Sequence, residues 1–503
     1  MKNIIIGLCI IFGSLVIINS VKASEVEALI DVLIKNNVIS EGDAADLKSE
    51  LKLEQETSKV ETKVEIKEEL SKEGIPLASG AKVKFYGSLD IVGYTQEGVN
   101  FTKGNTVAFA ENIAKLGAKT QFTDEVSGDF RIVSANTSGD DSLFYGTATD
   151  NTMVDVDLAN LTFSDIGSFN IDLTLGRQEI VIGDGFIIGD GRADTVAQWS
   201  VPLKSFDGAR ATLNNDFGTV DCFAAFIDND WTQYLGSYDA GPPEYQDQLP
   251  LTAYTGGGEL YGVNLHHEKW DIGAFFKDDN SELENDTVAL SVKALYEVPA
   301  ISGLTLDGEI VRQLGSTSVD RANLLTDRKL DREAWGGHMD ATYKFESCRF
   351  APYIGTSYIY FSGDDADSTD TNEAFDPLFF DDTDNGKWYI GNIVGGQGQI
   401  INSNEKVIKL ELGCTPDSST QLRLQFFNIR LDRGIDYDFT RKNYANEVNL
   451  IFDYWPNEIF YCGAQFGMSH PLEAARYWNA DANTGKEATE NIYEFVVWAG
   501  VEF

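Results

Sequence analysis

Positive charge is scarce in this sequence. Its 503 residues include 39 Lys and Arg against 80 Asp and Glu, which gives a formal net charge of -41 at pH 7. Binding to nucleic acid needs a basic surface that neutralises phosphates. The composition therefore excludes nucleic acid as the expected partner.

Histidine is scarce too, with four residues in the whole chain. Ser469 and His470 are sequence neighbours in a predicted loop, which is the wrong geometry for a base to reach its nucleophile. No His and Cys cluster has metal-ligand spacing, and GDGFIIGDG (183–191) lacks the Lys-Ser and the helix pattern of a phosphate loop. We expect no enzymatic activity and no resident cofactor.

Cysteine is limited to five residues. Cys222, Cys414 and Cys462 each fall in phase with apolar neighbours, which predicts small hydrophobic side chains on an apolar face. Cys348 lies in a predicted turn. We expect no structural disulfide, although a pairing of Cys348 with Cys414 remains open because both are predicted at the same end of the molecule.

Long apolar runs are absent after residue 23, so no membrane-spanning helix is expected there. Residues 1–23 read MKNIIIGLCIIFGSLVIINSVKA, with an early Lys, an apolar centre and small residues at the end. This pattern predicts a cleaved signal peptide; a membrane anchor is the alternative, but no charged flank follows. Residues 24–78 show helical spacing and then a Glu- and Lys-rich stretch, either a thin coiled coil or a solvated spacer.

Proline is sparse at 11 residues, whereas glycine reaches 46 and aromatic residues 12%. From Lys82 onward the apolar period becomes two, as in KVKFYGSLDIVGYT near the start and YEFVVWAGVEF at the end. Alternating segments of this kind, about ten residues long, are typical of strands with one face in lipid and the other in water. Their number is about eighteen, an even number as expected for a transmembrane barrel.

The connections between these strands come in two sizes. The predicted short turns are 164–168, 214–218, 266–269, 299–303, 415–419 and 456–458, and the predicted long loops are 228–257, 315–332, 362–403 and 469–490. Short periplasmic turns alternating with long outer loops are typical of outer-membrane barrels. The sequence therefore predicts an all-β membrane protein, a closed antiparallel barrel at 79–503. A soluble sandwich is the alternative.

Two stretches resemble the alginate export family of outer-membrane barrels. They are GRQEIVIGDGFIIGDG (176–191) with the following FDGARATL (206–213), and GDDADSTDTNEAFDPLFF (363–380). The resemblance implies an eighteen-stranded barrel in a Gram-negative outer membrane, with residues 24–78 in the periplasm. The best-known member exports anionic alginate through a lumen lined with arginines, and many others are porin-like with unknown cargo. The terminal Phe503 matches the aromatic end by which such barrels engage the barrel assembly machinery.

Residues are carried over from the family only at the matching motifs. Arg177 belongs to the GRQ motif, and Asp207 and Arg210 belong to the FDG-x-R motif; the resemblance implies that these three residues line the pore. Alternation turns Arg210 into the lumen. Arg177 is in phase with lipid-facing residues, so it turns inward only if a β-bulge near Gly176 precedes it; otherwise it is an interfacial Arg that reaches headgroups.

Alternation also predicts the charges of the lumen. The inward basic residues are Lys115, Lys119, Arg131, Arg210, Lys293, Lys344, Lys409 and Arg423, and the inward acidic residues are Glu111, Asp340, Glu346, Glu411 and Glu447. Inward positions are expected to be small, polar and charged rather than apolar. Rings of Arg and Lys favour anions. The sequence therefore leaves two readings open, an anion-passing channel compatible with alginate-like uronates and a wall whose charges neutralise each other in a weakly cation-selective porin. A structural or receptor barrel is a further alternative.

The loop 362–380 divides into an acidic and an aromatic half. Asp364, Asp365, Asp367 and Asp370 lack the spacing of an EF-hand, so they are either solvated or hold a surface calcium ion loosely. Phe375, Asp376, Pro377, Leu378 and Phe379 form an apolar cluster that water would not favour leaving exposed. We expect this half to pack across the outer mouth or into the lumen as a constriction.

Overall fold

The computed structural model separates into two compact units, Met1–Pro76 and Leu77–Phe503. The residues it describes are 75–76, 81–140, 152–166, 170–189, 205–215, 218–227, 232–233, 254–255, 257–280, 284–320, 324–345, 347–365, 367–376, 378–379, 403–434, 440–480 and 485–503. In the first unit this covers one short strand, Ile75–Pro76. The predicted signal peptide (1–23) and nearly all of the predicted helical extension (24–78) lie outside the described residues.

Eighteen antiparallel strands form the wall of the second unit, as far as it is described. Strands β1 to β6 are Lys82–Glu97, Thr106–Thr123, Val126–Asp140, Thr152–Ile166, Ile171–Glu179 and Ser205–Asn215. Strands β7 to β12 are Gly218–Ile227, Gly258–His267, Trp270–Asp279, Asp286–Glu297, Leu304–Asp320 and Leu324–Lys344. Strands β13 to β18 are Tyr353–Phe361, Glu405–Asp417, Thr420–Leu431, Asn443–Tyr454, Phe460–Pro471 and Ile492–Glu502.

Each wall strand pairs with the next, and β18 pairs back onto β1 with Glu502 opposite Ser88. This last pairing closes the sheet into a barrel and leaves no open edge in the wall. The predicted closed barrel and its strand number are therefore confirmed. The described helices lie in connections, as α1 (Glu473–Trp478) and the 3₁₀ turn Val99–Phe101. Among the described residues, no helix combines the length and the apolarity needed to cross a membrane.

The period of two in the sequence sets the two faces of the wall. In β7, Asp221, Phe223 and Ala225 are buried, whereas Phe226 between Ala225 and Ile227 is 64% exposed. Large exposed apolar side chains recur in the same way on the other strands, including Leu116, Ile310, Met339, Leu412, Leu450 and Phe466. The outer face of the barrel is thus apolar, and Cys222 lies on it as a free thiol.

The connections differ at the two ends of the barrel. Those that follow even-numbered strands are short, such as the two-residue turns after Thr123 and Asp417. The longest connection joins β13 to β14 at the other end. One predicted long loop, 315–332, is wrong, because β11 and β12 continue as a paired hairpin from Thr317 opposite Leu330 to Asp320 opposite Leu324.

Candidate functional site

Two connections enter the barrel and pack against its inward face. The first, here called the glycine segment, is residues 180–189, and the second, the FDPLF segment, is residues 362–379. They run side by side, because Ile188 forms a parallel bridge with Phe379. The Phe379 amide donates to the Ile187 carbonyl at 3.0 Å, and the Gly189 amide donates to the Phe379 carbonyl at 2.8 Å.

The glycine segment turns back on itself inside the lumen. The Ile182 amide donates to the Ile188 carbonyl at 2.8 Å, and Gly183 and Gly185 have φ values of 59° and 80°. Only glycine adopts this left-handed region without a steric cost, which explains why the turn is built on GDG. Between these glycines, Asp184 forms an ion pair with Lys293 of β10 at 2.5 Å.

Aromatic side chains join the two segments to the wall. Phe186 of the glycine segment stacks on Phe361 with ring centroids 5.3 Å apart, and Phe361 contacts Phe375 at 5.2 Å. Phe206 of β6 meets Phe379 edge to face at 5.1 Å. The three sequence motifs that carry the family resemblance therefore meet at one place in the lumen. Phe375, Leu378 and Phe379 are all buried there, and Pro377 lies outside the described residues.

Asp376 fixes the FDPLF segment to three strands. Its carboxylate accepts a hydrogen bond from Lys277 Nζ of β9 at 2.7 Å and from Thr287 Oγ1 of β10 at 2.9 Å. Asn285, just before β10, donates to the same oxygen at 3.0 Å. The Gln313 amide of β11 bonds both backbone groups of Asp376, at 2.7 and 2.8 Å. This set of contacts, here called the Asp376 clamp, joins the segment to the wall.

The clamp also fixes the charge of Asp376. Burial raises the pKa of this carboxyl group, and the charges of Lys277 and Arg332 lower it. Hydrogen bonds from Lys277 and from the Leu378 amide act in the same direction, and together these groups lower the pKa of Asp376 to about 2. The carboxylate is therefore ionised at neutral pH, as a buried ion pair requires.

The acidic half of the loop is organised by separate contacts. Asp364 accepts a hydrogen bond from the Glu373 amide at 2.9 Å, Asp365 pairs with Arg433 at 3.0 Å, and Asp370 pairs with Arg328 at 3.2 Å. Asp367 is exposed. Within the described part of the chain, no three His, Cys, Asp or Glu side chains are arranged to hold a metal ion. The surface calcium ion stays an untested prediction.

The predicted basic residues of the lumen lie on inward positions with acidic partners close by. The ion pairs are Lys119–Asp129 at 3.9 Å, Arg210–Asp221 at 2.8 Å, Lys293–Asp184 at 2.5 Å, Lys409–Glu411 at 3.0 Å, Arg423–Asp453 at 2.8 Å, and Arg131 with both Asp157 and Glu179. Lys115 interacts electrostatically with Asp90. Lys344 is exposed at the turn end of β12.

The acidic residues predicted to oppose them are also placed inward where they are described. Glu111 is 3% exposed, Glu447 is fully buried, and Asp340 pairs with His338 at 2.5 Å. Glu411 also accepts a hydrogen bond from Tyr353 at 2.6 Å. Glu346 lies outside the described residues. Several inward acidic residues are thus paired with basic ones, whereas no ion pair is seen for Glu111 among the described residues.

Two predicted lumen residues, Arg177 and Asp207, lie on the outer face instead. They are direct neighbours across β5 and β6, and Asp207 is also opposite the outward Phe226. Their side chains form an ion pair at 3.0 Å. The expected β-bulge is absent here, because the register runs without a shift through Gly176. The apolar Ile180 and Ile182 are out of phase with Leu173 and Leu175, as after a bulge, because they leave the wall and pack inside the lumen.

The expectation that inward positions are small, polar and charged is wrong for part of the wall. At the level of the two inserted segments, inward side chains of successive strands form one apolar cluster with them. Its wall members include Phe206, Phe223, Leu260, Phe275, Ala289, Val311, Ala334, Ile359, Val407 and Phe427. Alternation shows that neighbouring side chains point to opposite faces. It does not show whether an apolar side chain contacts lipid or an inserted loop.

The clamp partners Lys277, Asn285, Thr287 and Gln313 were not predicted, and neither was Arg332 of β12, whose charge acts on Asp376. The sequence signal that could have identified them is strand alternation, which places Lys277, Thr287, Gln313 and Arg332 on inward positions. All five are buried. Nothing local in the sequence links them to Asp376, because they lie 44 to 99 residues away from it along the chain.

Comparisons with known proteins concern the fold. No family model matches the chain, and no curated protein matches it. The crystal structure of Acinetobacter baumannii OccAB1 superposes with a TM-score of 0.53 at 10% identity, over 86% of this chain and 99% of that one. Acinetobacter baumannii OccAB4 superposes with a TM-score of 0.50 at 11% identity, over 85% and 100%. At this identity the likeness shows a shared barrel fold along nearly the whole length of both neighbours.

Proposed function

We propose that the chain is a passive channel of a bacterial outer membrane that admits small polar solutes. The observation that carries this is the closed eighteen-stranded wall with an apolar outer face and a largely charged and polar inward face. A wall of this kind satisfies its backbone groups in lipid, and barrels of sixteen to eighteen strands are wide enough for an aqueous channel. The likeness in fold to OccAB1 supports the same reading.

The orientation follows from the two kinds of connection. Transmembrane barrels have short periplasmic turns and longer extracellular loops. On this rule the glycine segment and the FDPLF segment descend from the outer side and narrow the lumen. The N-terminal extension is then periplasmic. Phe503, which pairs with Gly87 through two backbone hydrogen bonds, ends the last strand on the same side, where we propose that it engages the barrel assembly machinery.

The ion pairs of the wall favour a weakly cation-selective pore. Arg131, Arg210, Lys293, Lys409 and Arg423 all have carboxylates at ion-pair distance, so their charges are largely offset. Carboxylates in excess of these pairs then decide the sign of the field that a permeating ion meets.

Export of an anionic, alginate-like polysaccharide is the second candidate. It is favoured by the meeting of the three resemblance motifs at Phe206, Ile188 and Phe379. Export of an anion requires basic residues that are free to bind it. Arg210 is already paired with the Asp221 carboxylate, so the cation-selective channel accounts better for the wall.

Recordings in a planar bilayer under a KCl gradient test both candidates. We expect discrete conductance steps and a reversal potential on the cation-selective side. The Arg210→Ala and Arg423→Ala exchanges should preserve or increase cation selectivity, because each frees a carboxylate, Asp221 or Asp453. Anion selectivity that disappears in these variants would favour the export candidate, and a wild-type barrel without conductance would contradict both.

A further inference from the structure

A row of inward side chains crosses strands β14 to β18. In register it reads Glu411, Gln425, Asn449, Gly467 and Glu494. Directly opposed residues of neighbouring strands have Cβ atoms about 4.5–5.5 Å apart, so these groups lie side by side. Gly467 contributes no side chain, so no side chain of this row stands between the Asn449 amide and the Glu494 carboxylate.

The amide donors of this row are already engaged. Gln425 Nε2 donates to Glu411 at 2.8 Å, and Asn449 Nδ2 donates to Glu447 at 2.8 Å. The oxygens of both amides are left without a hydrogen-bond partner among the described residues, although both side chains are fully buried. Ser469, the next inward residue after Gly467 on β17, is fully buried, and its Oγ also has no partner there. Buried acceptors of this kind cost stability unless a donor reaches them.

Glu494 adds a carboxylate to the same place. Tyr94 and Gln96 of β1 donate to one oxygen at 3.0 and 3.2 Å, and Gln465 of β17 donates to the other at 2.7 Å. These described partners are all neutral. Glu494 is 4% exposed, and a buried carboxylate is costly when no cation accompanies it.

We propose that the lumen at Gly467 binds a small organic ammonium ion, which names a solute class for the proposed channel and rests on it. Such an ion supplies one positive charge toward Glu494 and N–H donors for Asn449 Oδ1 and Ser469 Oγ. A water molecule would satisfy the two oxygens but not the charge. A metal ion fits less well, because the described residues place no three acidic, His or Cys groups around one point.

Calorimetric titration of the full chain in detergent tests the site without needing a current. Methylammonium chloride is compared with tetramethylammonium chloride, which has the same charge and no N–H donor. Wild type should bind methylammonium saturably and tetramethylammonium much more weakly. Because hydrogen bonds to charged groups are strong, the dissociation constant should rise about tenfold for each lost acceptor in Asn449→Leu and in Ser469→Ala.

Asn446→Leu is the matched control. Asn446 lies on the outward face of the same strand, where it accepts a hydrogen bond from Asn428 at 2.8 Å. This exchange should leave methylammonium binding unchanged. Glu494→Gln keeps the shape of the side chain and removes the charge, so it should weaken methylammonium binding as well. If Asn449→Leu does not fold, the milder Ser469→Ala still shows how much the loss of one acceptor weakens methylammonium binding.

The inference is overturned if wild type shows no saturable methylammonium binding, or if Ser469→Ala and Glu494→Gln bind as wild type does. Bilayer currents separate this result from the proposed channel. A barrel that conducts K⁺ and does not bind methylammonium overturns the inference alone. A barrel that binds methylammonium and carries no current overturns the channel alone.

Discussion

The inward face of strands β7 to β12 differs from that of β14 to β18. On the first side Leu260, Ala289 and Val311 are fully buried under the two inserted segments. On the second side Val407 and Phe427 still join the apolar cluster. Fully buried polar groups such as Gln425 and Asn449 lie beside them, without a hydrogen bond to Asp376. An inserted loop must bury its own apolar residues, so it selects an apolar wall. The opposite wall keeps the polar groups that water or a solute requires.

The difference teaches how a loop can be held inside a polar barrel. Apolar contacts such as Phe186 on Phe361 stabilise the inserted segments but do not fix their orientation, because the hydrophobic effect is not directional. The Asp376 clamp provides direction, because a carboxylate that receives several hydrogen bonds has few alternative positions. Breaking the clamp should therefore have the largest effect on the lumen.

Asp376→Ala is the strongest test of the clamp. It leaves Lys277, which is 4% exposed, without its carboxylate, and removing one partner of a buried pair costs about 3–5 kcal/mol. The FDPLF segment should leave its position, and single-channel conductance should increase. Asp370→Ala in the same loop is the control, because the Arg328–Asp370 pair is exposed. Equal conductance of the two variants would contradict a constricting role for the segment.

Acid should weaken the same contact in a defined range. The pKa of Asp376 is lowered from 3.8 to about 2 in the folded protein. A lowered pKa stabilises the folded form above pH 3.8, and this contribution is lost as the pH falls from 3.8 toward 2. Conductance should therefore show no change attributable to Asp376 between pH 7 and about pH 4 and should rise below it. An Asp376→Asn barrel should lack this acid-induced step, and the same step in that variant would assign it to another group.

Phe186→Leu tests the apolar contribution with a smaller effect. The exchange conserves most of the volume, so it should destabilise the packing by less than about 1.5 kcal/mol and increase conductance noise more than mean conductance. Phe226→Leu is the matched control on the outer face, where Phe226 is 64% exposed. If both variants behave alike, the aromatic cluster does not hold the inserted segments.

Much of the wall could be predicted from the sequence. Alternation gave the closed barrel, the strand number and the inward positions of residues such as Arg210 and Lys409, because side-chain direction has a strict period of two. The aromatic half of the loop was also recognisable, since a cluster like Phe375 to Phe379 in an acidic loop must find apolar partners.

The contacts inside the lumen could not be predicted. In β9, Phe275 points inward and Phe276 outward, and nothing in the letters distinguishes an aromatic residue under an inserted loop from one that faces lipid. The partners of Asp376 come from three strands, and the register that brings them together is a property of the closed barrel. For the same reason the sequence left the direction of Arg177 open, because Ile180 and Ile182 imitate a slipped strand while they leave the wall.

The smallest effect is expected for Arg177→Ala on the outer face. Arg177 pairs with Asp207, which is more than half exposed, so losing the pair should change the free energy of unfolding by at most about 1 kcal/mol. Because neither group faces the lumen, the reversal potential in a KCl gradient should equal that of wild type. Arg210→Ala on the inward face of β6 should shift the reversal potential toward cations, because it frees the buried Asp221 carboxylate. A selectivity change in Arg177→Ala as large as in Arg210→Ala would place Arg177 in the ion path and contradict the register of β5 on β6.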